Sequence, residues 1–222
     1  MRLRHFLVLL FLSLTILSYA QEGQVNLNLK NGNNVALGYY AALSVEAHHC
    51  FQEGFSITGG AQYNNMGHFM TEARPAYFHK FVAGVMHVET LLHYILKSNI
   101  HNYAFGAGIG FTARYVYLKL GYYYRAFAIG SSIISEPFNI YYEFGVSCLP
   151  RLPKWDLKVS ISNSRIFELE RHYQPSLFVD AWWYPSKRTG VTLGVSYKTA
   201  GMFNMSCDYD QFYINTGIHY KW

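Results

Sequence analysis

The segment Asp208–Trp222 reads DYDQFYINTGIHYKW, and from Phe212 onward apolar or uncharged side chains occupy every second position. A period of two places alternate side chains on opposite faces of a β-strand. The apolar face of this segment continues to an aromatic residue at position 222. A soluble sheet seldom exposes such a face, whereas a barrel surrounded by lipid requires one. The segment therefore predicts a strand of a membrane β-barrel.

The same alternation extends back along the chain. Strands are predicted over residues 25–30, 37–48, 55–64, 81–94, 103–111, 116–125, 138–148, 155–162, 177–184, 191–198 and 212–222. The stretch Asn65–Lys80 is left open between a strand over Phe69–Phe78 and an irregular loop, because Pro75 disfavours a regular ladder. The sequence thus predicts an all-β, transmembrane, antiparallel up-and-down barrel of about 12 strands. The alternative is a barrel of 10 strands, in which Asn65–Lys80 and the first predicted segment do not form strands.

Turn lengths suggest which end of the barrel faces which side. Short turns are predicted at Phe78–Lys80, Thr112–Arg114, Leu149–Lys154 and Pro185–Arg188 on one side, and at Asn31–Asn34 and Lys97–Asn99 on the other. Longer loops are predicted at Ala128–Pro137, Glu168–Pro175 and Ala200–Asp210. Since outer-membrane barrels have short periplasmic turns and longer outer loops, the N-terminus is expected in the periplasm.

The composition supports a barrel in lipid. Charged residues make up 14% and aromatic residues 18% of the chain, whereas soluble domains carry about 25% charged residues. A secreted β-sandwich or lipocalin-like barrel is the alternative, with the apolar rows pointing inward. The polar rows, however, hold Gly, Ser, Tyr and charges of both signs. The apolar rows end repeatedly in Tyr or Trp, as in an interfacial girdle (Tyr94, Tyr124, Trp155, Trp183, Tyr197, Tyr220, Trp222).

The first twenty residues have the three parts of a secretory signal. Arg2 and Arg4 precede an apolar run over Phe6–Leu17, and Ser18-Tyr19-Ala20 supplies a small-x-small cleavage site. Cleavage after Ala20 leaves residues 21–222 as the barrel domain. Removing the two arginines lowers the formal net charge from +5 to +3. These charges are not clustered, so nucleic acid is not an expected partner.

The segment Asn215–Trp222 resembles the C-terminal assembly signal of bacterial outer-membrane β-barrels: a polar Asn215, Gly217 two places on, then Tyr220 and Trp222 at alternate positions. As a whole, the chain resembles small outer-membrane β-barrel proteins of Gram-negative bacteria. The resemblance implies export to the outer membrane, contact with the lipid bilayer, and insertion by the outer-membrane assembly machinery, which reads the last strand. It implies no substrate.

The polar rows carry charges that are expected to face the lumen. The acidic ones are Glu46, Glu72, Glu89, Glu143, Asp156 and Asp180, and the basic ones are Arg74, Lys119, Arg125, Lys158, Lys198 and Lys221. Since the signs roughly cancel, we expect pairing that narrows or closes the lumen. Two functions follow, either a narrow passive channel for small solutes or a closed structural or partner-binding barrel. Glu22, Lys30 and the loop charges are expected on a solvated surface.

Other chemistries are less well supported by the sequence. Lipid-hydrolysing barrels use a lipid-facing serine with a histidine, whereas the candidates Ser160, Ser162 and Ser196 fall on inner rows without a histidine two residues away. His87, Glu89 and His93 share one strand face, which is compatible with a metal site, although coincidence is the simpler reading among ten histidines. No metal or cofactor is therefore expected. The cysteines at positions 50, 148 and 207 are widely spaced, and no disulfide is expected.

Overall fold

The structure, a computed structural model, describes residues 22–34, 38–51, 54–147, 154–169, 175–198 and 210–222. Twelve of its strands form one closed barrel, and two short strands form a separate hairpin. No helix in these residues is long and apolar enough to cross a membrane. The prediction of a closed antiparallel barrel with twelve strands is confirmed, and the ten-strand alternative is wrong.

Strand bounds follow the predicted alternation closely. They are β1 (Glu22–Asn34), β2 (Gly38–Cys50), β3 (Phe55–Asn64), β4 (Phe69–Phe81), β5 (Gly84–Lys97), β6 (Ile100–Thr112), β7 (Val116–Ile129), β8 (Ser132–Ser147), β9 (Trp155–Ser162), β10 (Ser164–Arg165), β11 (Glu168–Leu169), β12 (Ser176–Trp183), β13 (Thr189–Lys198) and β14 (Gln211–Lys221). Each barrel strand pairs antiparallel with its neighbours in sequence, except that β9 pairs with β12 across the β10–β11 hairpin. Strand β14 pairs with β1 and closes the ring.

The two faces of the barrel wall have opposite chemistry. Phe105, Ile109 and Ile218 on the outer face are 57%, 58% and 59% exposed, whereas Glu72 and Glu89 on the inner face are 4% and 6% exposed. A soluble barrel would bury the apolar row and expose the charged row. The soluble alternative is therefore wrong. An apolar outer face and a charged inner face are what a wall in contact with lipid requires.

Strand β14 is a regular member of the wall on both of its edges. It pairs with β1 from Gln24↔Lys221 to Asn34↔Gln211, and with β13 along its whole length. A Cβ added to Gly23 would meet the Trp222 ring, so the last aromatic residue covers the start of β1. The apolar side chains of the last segment therefore lie on the outer face of the β14–β1 pair that closes the barrel.

The predicted loop at Ala128–Pro137 is wrong. Strands β7 and β8 continue through it and are joined by a turn at Gly130–Ser131, where Gly130 has a φ of 58°. A glycine adopts this left-handed conformation without a Cβ clash, so the hairpin closes tightly. The register shifts between Tyr123 and Arg125, which places Pro137 in an irregular part of the ladder that tolerates a missing N–H.

Within the open stretch Asn65–Lys80, residues 69–80 belong to strand β4, so the loop alternative is wrong. Its ladder with β3 includes Ile57↔Pro75. On the β5 side the pairing passes from Ala73↔Leu92 to Ala76↔Glu89, which accommodates the proline.

Two predicted turns also lie inside strands. The turn predicted at Phe78–Lys80 falls within β4, and the connection is instead Val82–Ala83; the turn predicted at Asn31–Asn34 falls within β1. In both cases polar residues that belong to a strand resemble the polar residues of a turn.

The row of small residues on β6 serves close packing inside the barrel. A Cβ at Gly108 or Gly121 would collide with the Tyr141 side chain, and one at Gly110 would collide with the His87 ring. Both Tyr141 and its neighbour Tyr123 are fully buried. These glycines therefore leave room for bulky side chains of nearby strands inside the barrel.

Candidate functional site: an ion-paired lumen crossed by an inward hairpin

The segment between β9 and β12 enters the barrel. Residues Ser164–Leu169, hereafter the inward hairpin, pair as Ser164↔Leu169 and Arg165↔Glu168. Phe167 at its turn has a φ of 62° and is 5% exposed. Glu168 was predicted to begin an outer loop and lies inside instead. Residues 170–174 of that predicted loop are outside the described part of the chain.

Side chains allow the chain to leave the wall at this point. The Asn163 amide donates to the Ile140 carbonyl (2.9 Å) and accepts from the Tyr142 N–H (2.7 Å). The Ser162 hydroxyl donates to the Tyr142 carbonyl (3.0 Å) and accepts from the Ser164 N–H (3.0 Å). These groups replace the strand neighbour that β8 would otherwise have here, so its backbone groups stay satisfied.

Arg165 fastens the inward hairpin to one side of the wall. Its guanidinium donates to Asp180 on β12 (2.5 Å) and to the Ser160 hydroxyl on β9 (2.6 Å), and its Nε lies 3.8 Å from Glu143 on β8. The guanidinium carbon lies 3.8 Å from the centre of the Phe178 ring. Such a stacked, forked contact suits arginine and is not reproduced by lysine. Sequence reasoning missed Arg165 entirely.

Glu168 attaches the hairpin to another part of the wall through an ion pair with Lys30 on β1. The Lys30 ammonium also lies 4.2 Å from the centre of the Tyr213 ring. The Lys30 and Glu168 side chains are 13% and 23% exposed. The expectation that Lys30 and the loop charges lie on a solvated surface is therefore wrong for this pair.

The tip and base of the hairpin are held by β4 and β7. The Phe167 N–H donates to Glu72 (3.0 Å), which also accepts from Arg74 and contacts the His93 ring nitrogen Nδ1 (2.7 Å). The Arg74 guanidinium in turn donates to the Ser164 hydroxyl (3.4 Å). At the base, Arg125 donates to the Leu169 carbonyl.

Charges from five wall strands extend this network. Lys119 on β7 lies 3.4 Å from Glu89 on β5 and 3.8 Å from Glu143, and Glu143 accepts from Lys158 on β9 (2.9 Å). Glu89 also lies 3.8 Å from Arg74 on β4. The connected residues alternate in sign, so each buried carboxylate has a cation nearby.

The structure brings seven of the twelve sequence-predicted lumen charges into this network: Glu72, Arg74, Glu89, Lys119, Glu143, Lys158 and Asp180. The other five lie elsewhere in the barrel, among them Lys221, whose ammonium lies 4.7 Å from the centre of the Tyr184 ring. Glu46 accepts from Asn28 (3.0 Å), and Asp156 accepts from Ser147 (2.8 Å) near the end where β1 begins. Arg125 contacts the hairpin backbone as described above, and Lys198 is 1% exposed.

The histidines predicted to share a face are used separately. His93 contacts Glu72, whereas His87 lies 4.0 Å from Glu89 and packs on Gly110. Among the described residues, no group of three or more His, Cys, Asp or Glu side chains is arranged to hold a metal ion. Cys50 is a free thiol. Positions 148 and 207 lie outside the described residues.

The two sides of the inward hairpin differ. On one side Leu169 joins a buried apolar cluster with Leu91, Ala104, Tyr123 and Tyr141, which fills the lumen next to β5–β8. On the other side a polar cavity of about 170 Å³ remains. It is lined mainly by amides, hydroxyls and charged groups: Asn26, Asn28, Lys30, Ser44, Glu46, Gln62, Arg165, Glu168, Asp180, Thr192, Ser196 and Asn215.

The candidate serines of a hydrolase lie inside the barrel. Ser160 and Ser162 are 2% and 1% exposed, and their hydroxyls bind Arg165 and the Tyr142 carbonyl. Ser196 is buried beside the cavity. These positions do not face lipid, in agreement with the inner rows assigned from the sequence.

Neither a protein-family model nor a curated protein sequence matches the chain. Solved structures with the same fold do. NanC porin is 11% identical with a TM-score of 0.58, covering 88% of this chain and 100% of that chain. KdgM porin in complex with disordered oligogalacturonate is 13% identical with a TM-score of 0.55, covering 88% and 98%. Outer membrane phospholipase A from Escherichia coli is 6% identical with a TM-score of 0.53, covering 88% and 89%. The fold is therefore that of small outer-membrane barrels.

Proposed function

We propose that the protein is a narrow passive channel for small solutes in the outer membrane of a Gram-negative bacterium. The observation that carries the proposal is the inward hairpin, which is attached to several wall strands and leaves a polar cavity on one of its sides. A fixed constriction of this kind narrows a twelve-stranded lumen without filling it. Similarity in fold to NanC and KdgM porins supports the same function.

Weak ion selectivity is part of the proposal. Channels that select one sign line their constriction with charges of that sign. In the described part of this lumen, Arg165 is paired with Asp180, and Lys30 with Glu168. The bound molecule in the KdgM complex is an oligogalacturonate. The paired charges here give a polyanion no continuous basic track, so we do not extend that substrate to this chain.

Single-channel recording in planar bilayers tests the proposal. The refolded protein should give small, steady currents with similar cation and anion permeability. Arg165→Met should raise the conductance, because the hairpin loses its attachment to Asp180 and Glu143, whereas Arg114→Met in an exposed turn should not. Silence from correctly folded wild-type protein would contradict the channel.

A closed barrel is the second candidate, and the apolar cluster around Leu169 favours it. Such a cluster occludes half of the lumen, and a small shift of the hairpin would cover the rest. In that case the barrel serves as a structural or partner-binding protein of the envelope. The same recordings separate the two, since a closed barrel gives no current in the wild type and a current in Arg165→Met.

The proposed function is not enzymatic, despite the likeness in fold to the phospholipase. The serines considered from the sequence are turned inward, and the hydroxyls of Ser160 and Ser162 are engaged in hydrogen bonds. A lipase assay with phosphatidylcholine micelles checks this point. Activity above that of heat-denatured protein, abolished by a serine-directed inhibitor, would overturn it.

Export and assembly complete the proposal. Cleavage after Ala20 would leave a single residue ahead of β1, which begins at Glu22. Asn215, Gly217, Tyr220 and Trp222 would form the signal for the assembly machinery. Trp222→Ala should slow insertion into membranes that contain this machinery, while Trp183→Ala, also an exposed aromatic near the same end, should insert normally. Equal insertion rates would count against the signal.

A further inference from the structure

The polar cavity beside the inward hairpin has the size of a small-molecule site. Its volume is about 170 Å³, and a protein cavity of about 150 Å³ accommodates one benzene molecule. One six-membered ring therefore fits, either alone or as one unit of a longer molecule. Residues of β1, β2, β3, β12, β13 and β14 line the cavity, and the inward hairpin lies along another side of it.

The charges around the cavity disfavour an anionic occupant. Lys30 and Arg165 supply two positive charges, and Glu46, Glu168 and Asp180 supply three negative ones, so the formal balance is 2 − 3 = −1. Both cations are already in ion pairs with Glu168 and Asp180. Glu46 instead accepts a hydrogen bond from the neutral Asn28 amide (3.0 Å). An entering anion would meet the Glu46 carboxylate without a spare cation opposite it.

The uncharged lining can both donate and accept hydrogen bonds. Asn26, Gln62 and Asn215 contribute amides, and Ser44 and Thr192 contribute hydroxyls. Each amide has two N–H donors and one carbonyl acceptor, and each hydroxyl both donates and accepts. Ligand hydroxyl groups have the same dual capacity, so they can satisfy such a wall in several orientations.

An aromatic side chain completes the lining. Trp182 on β12 faces the cavity and is partly exposed. Binding sites for small molecules combine an apolar or aromatic surface with a few polar groups that fix orientation. A saturated ring with C–H groups on its face and hydroxyls at its edge matches both features at once.

We propose that this cavity is a binding subsite for a neutral, hydroxyl-rich ring such as a hexose unit. Glu46 accepts hydrogen bonds from ligand hydroxyls, and Trp182 contacts the ring face. The inference rests on the proposed channel function and adds to it the class of solute. A solute without hydroxyls leaves the buried polar groups unpaired on binding, which costs affinity. A carboxylated ring is repelled by Glu46.

Ligand-observed NMR of the refolded protein in detergent at pH 9, where the Glu46 carboxyl group is ionised, tests the subsite without requiring any current. Glucose should show saturable transfer of magnetisation from the protein. Galacturonate, which has a similar ring with a carboxylate, should bind at least tenfold more weakly, and a short polyethylene glycol should not bind saturably. Glu46→Gln should raise the glucose dissociation constant about tenfold, since hydrogen bonds to charged acceptors are the stronger ones.

Asp156→Asn is the matched control, because it removes one carboxylate of the inner wall away from the cavity, where Asp156 binds Ser147. Its glucose affinity should equal that of the wild type. Unchanged glucose affinity in Glu46→Gln, or galacturonate binding as tightly as glucose, would overturn the subsite. Circular dichroism of both variants verifies that they are folded.

The two proposals fail in different ways. A barrel that conducts ions but shows no saturable glucose binding refutes the subsite and leaves the channel standing. A barrel that binds glucose but remains silent in bilayers refutes the channel and leaves the subsite standing. Where both hold, glucose should reduce the single-channel current in a concentration-dependent manner, and Glu46→Gln should shift the half-blocking concentration by the same factor as the dissociation constant.

Discussion

Arg165 reaches from the inward hairpin to Asp180 on the barrel wall, with 2.5 Å between the guanidinium nitrogen and the carboxylate oxygen. Fifteen positions separate the two residues in sequence, and they come into contact because the chain folds inward after β9, beside its neighbour β12. The contact joins the element that narrows the barrel to the strand that follows it. The stability of the barrel and the position of the hairpin in the lumen therefore both depend on one side chain.

Replacing Arg165 with methionine should destabilise the barrel and loosen the inward hairpin. Removing one partner of a buried ion pair typically costs about 3–5 kcal/mol, because the other charge remains without compensation. Here the Asp180 and Glu143 carboxylates would both lose a cation, although the Arg165 side chain is 21% exposed and the loss should lie near the lower bound. Urea unfolding in detergent, followed by tryptophan fluorescence, measures the change. Arg165→Met together with Asp180→Asn should recover part of the stability.

The Lys30–Glu168 pair should show direct energetic coupling. A double-mutant cycle with Lys30→Met and Glu168→Gln isolates the pairwise free energy, which for contacting residues is about 0.5–3 kcal/mol. A second cycle with Lys30→Met and Asp156→Asn provides the control, since the Asp156 carboxylate binds Ser147 instead. Equal coupling in the two cycles would mean that Lys30 responds to overall charge and not to its hairpin partner.

Gly108→Ala should destabilise the wall because its new methyl group meets the Tyr141 side chain near the hydroxyl. Overpacking of a tight interior costs about 1–3 kcal/mol. The cost should fall in a Tyr141→Phe background, which removes the nearest oxygen. Thermal unfolding of the four proteins checks the prediction. If alanine is equally costly in both backgrounds, the strain arises from the backbone of β7 and not from the tyrosine.

Asn163→Ala should expose the edge of β8 to solvent exchange. The amide side chain satisfies the Tyr142 N–H and the Ile140 carbonyl, and unsatisfied buried groups cost about 1–3 kcal/mol each. Amide hydrogen exchange at Tyr142 should therefore accelerate in the variant, while exchange at Tyr122 on β7 should stay slow. Asn163→Asp keeps the acceptor for the Tyr142 N–H and should retain most of the protection at that position.

Alternation along the strands was sufficient to predict the wall and its two faces. Small residues in a strand interior need a packing reason, and for Gly106, Gly108 and Gly110 the structure supplies one in the side chains that would meet an added Cβ. Pro75 was ambiguous, since a proline is excluded from a regular ladder but tolerated at an irregularity. Which of these applies depends on the neighbouring strand, and a single segment carries no information about it.

The inward hairpin could not be predicted in the same way. Its contacts join residues far apart in sequence, such as Lys30 and Glu168, which are 138 positions apart. No periodicity reports such pairs. The sequence does contain one local signal. The apolar pair Ile166–Phe167 is flanked by Arg165 and Glu168 within an otherwise polar stretch. An apolar pair flanked by opposite charges favours burial in a polar interior over exposure in an outer loop.

Two ion pairs attach the hairpin to strands that are far apart along the chain. Arg165 binds strands adjacent to the hairpin, but Lys30 belongs to β1, which reaches this region only through its seam with β14. The Lys30–Glu168 ion pair can therefore form in place only once β1 and β14 have paired. Before the ring closes, the hairpin can be held by β4, β7 and the strands next to it, and formation of this last ion pair marks completion of the ring.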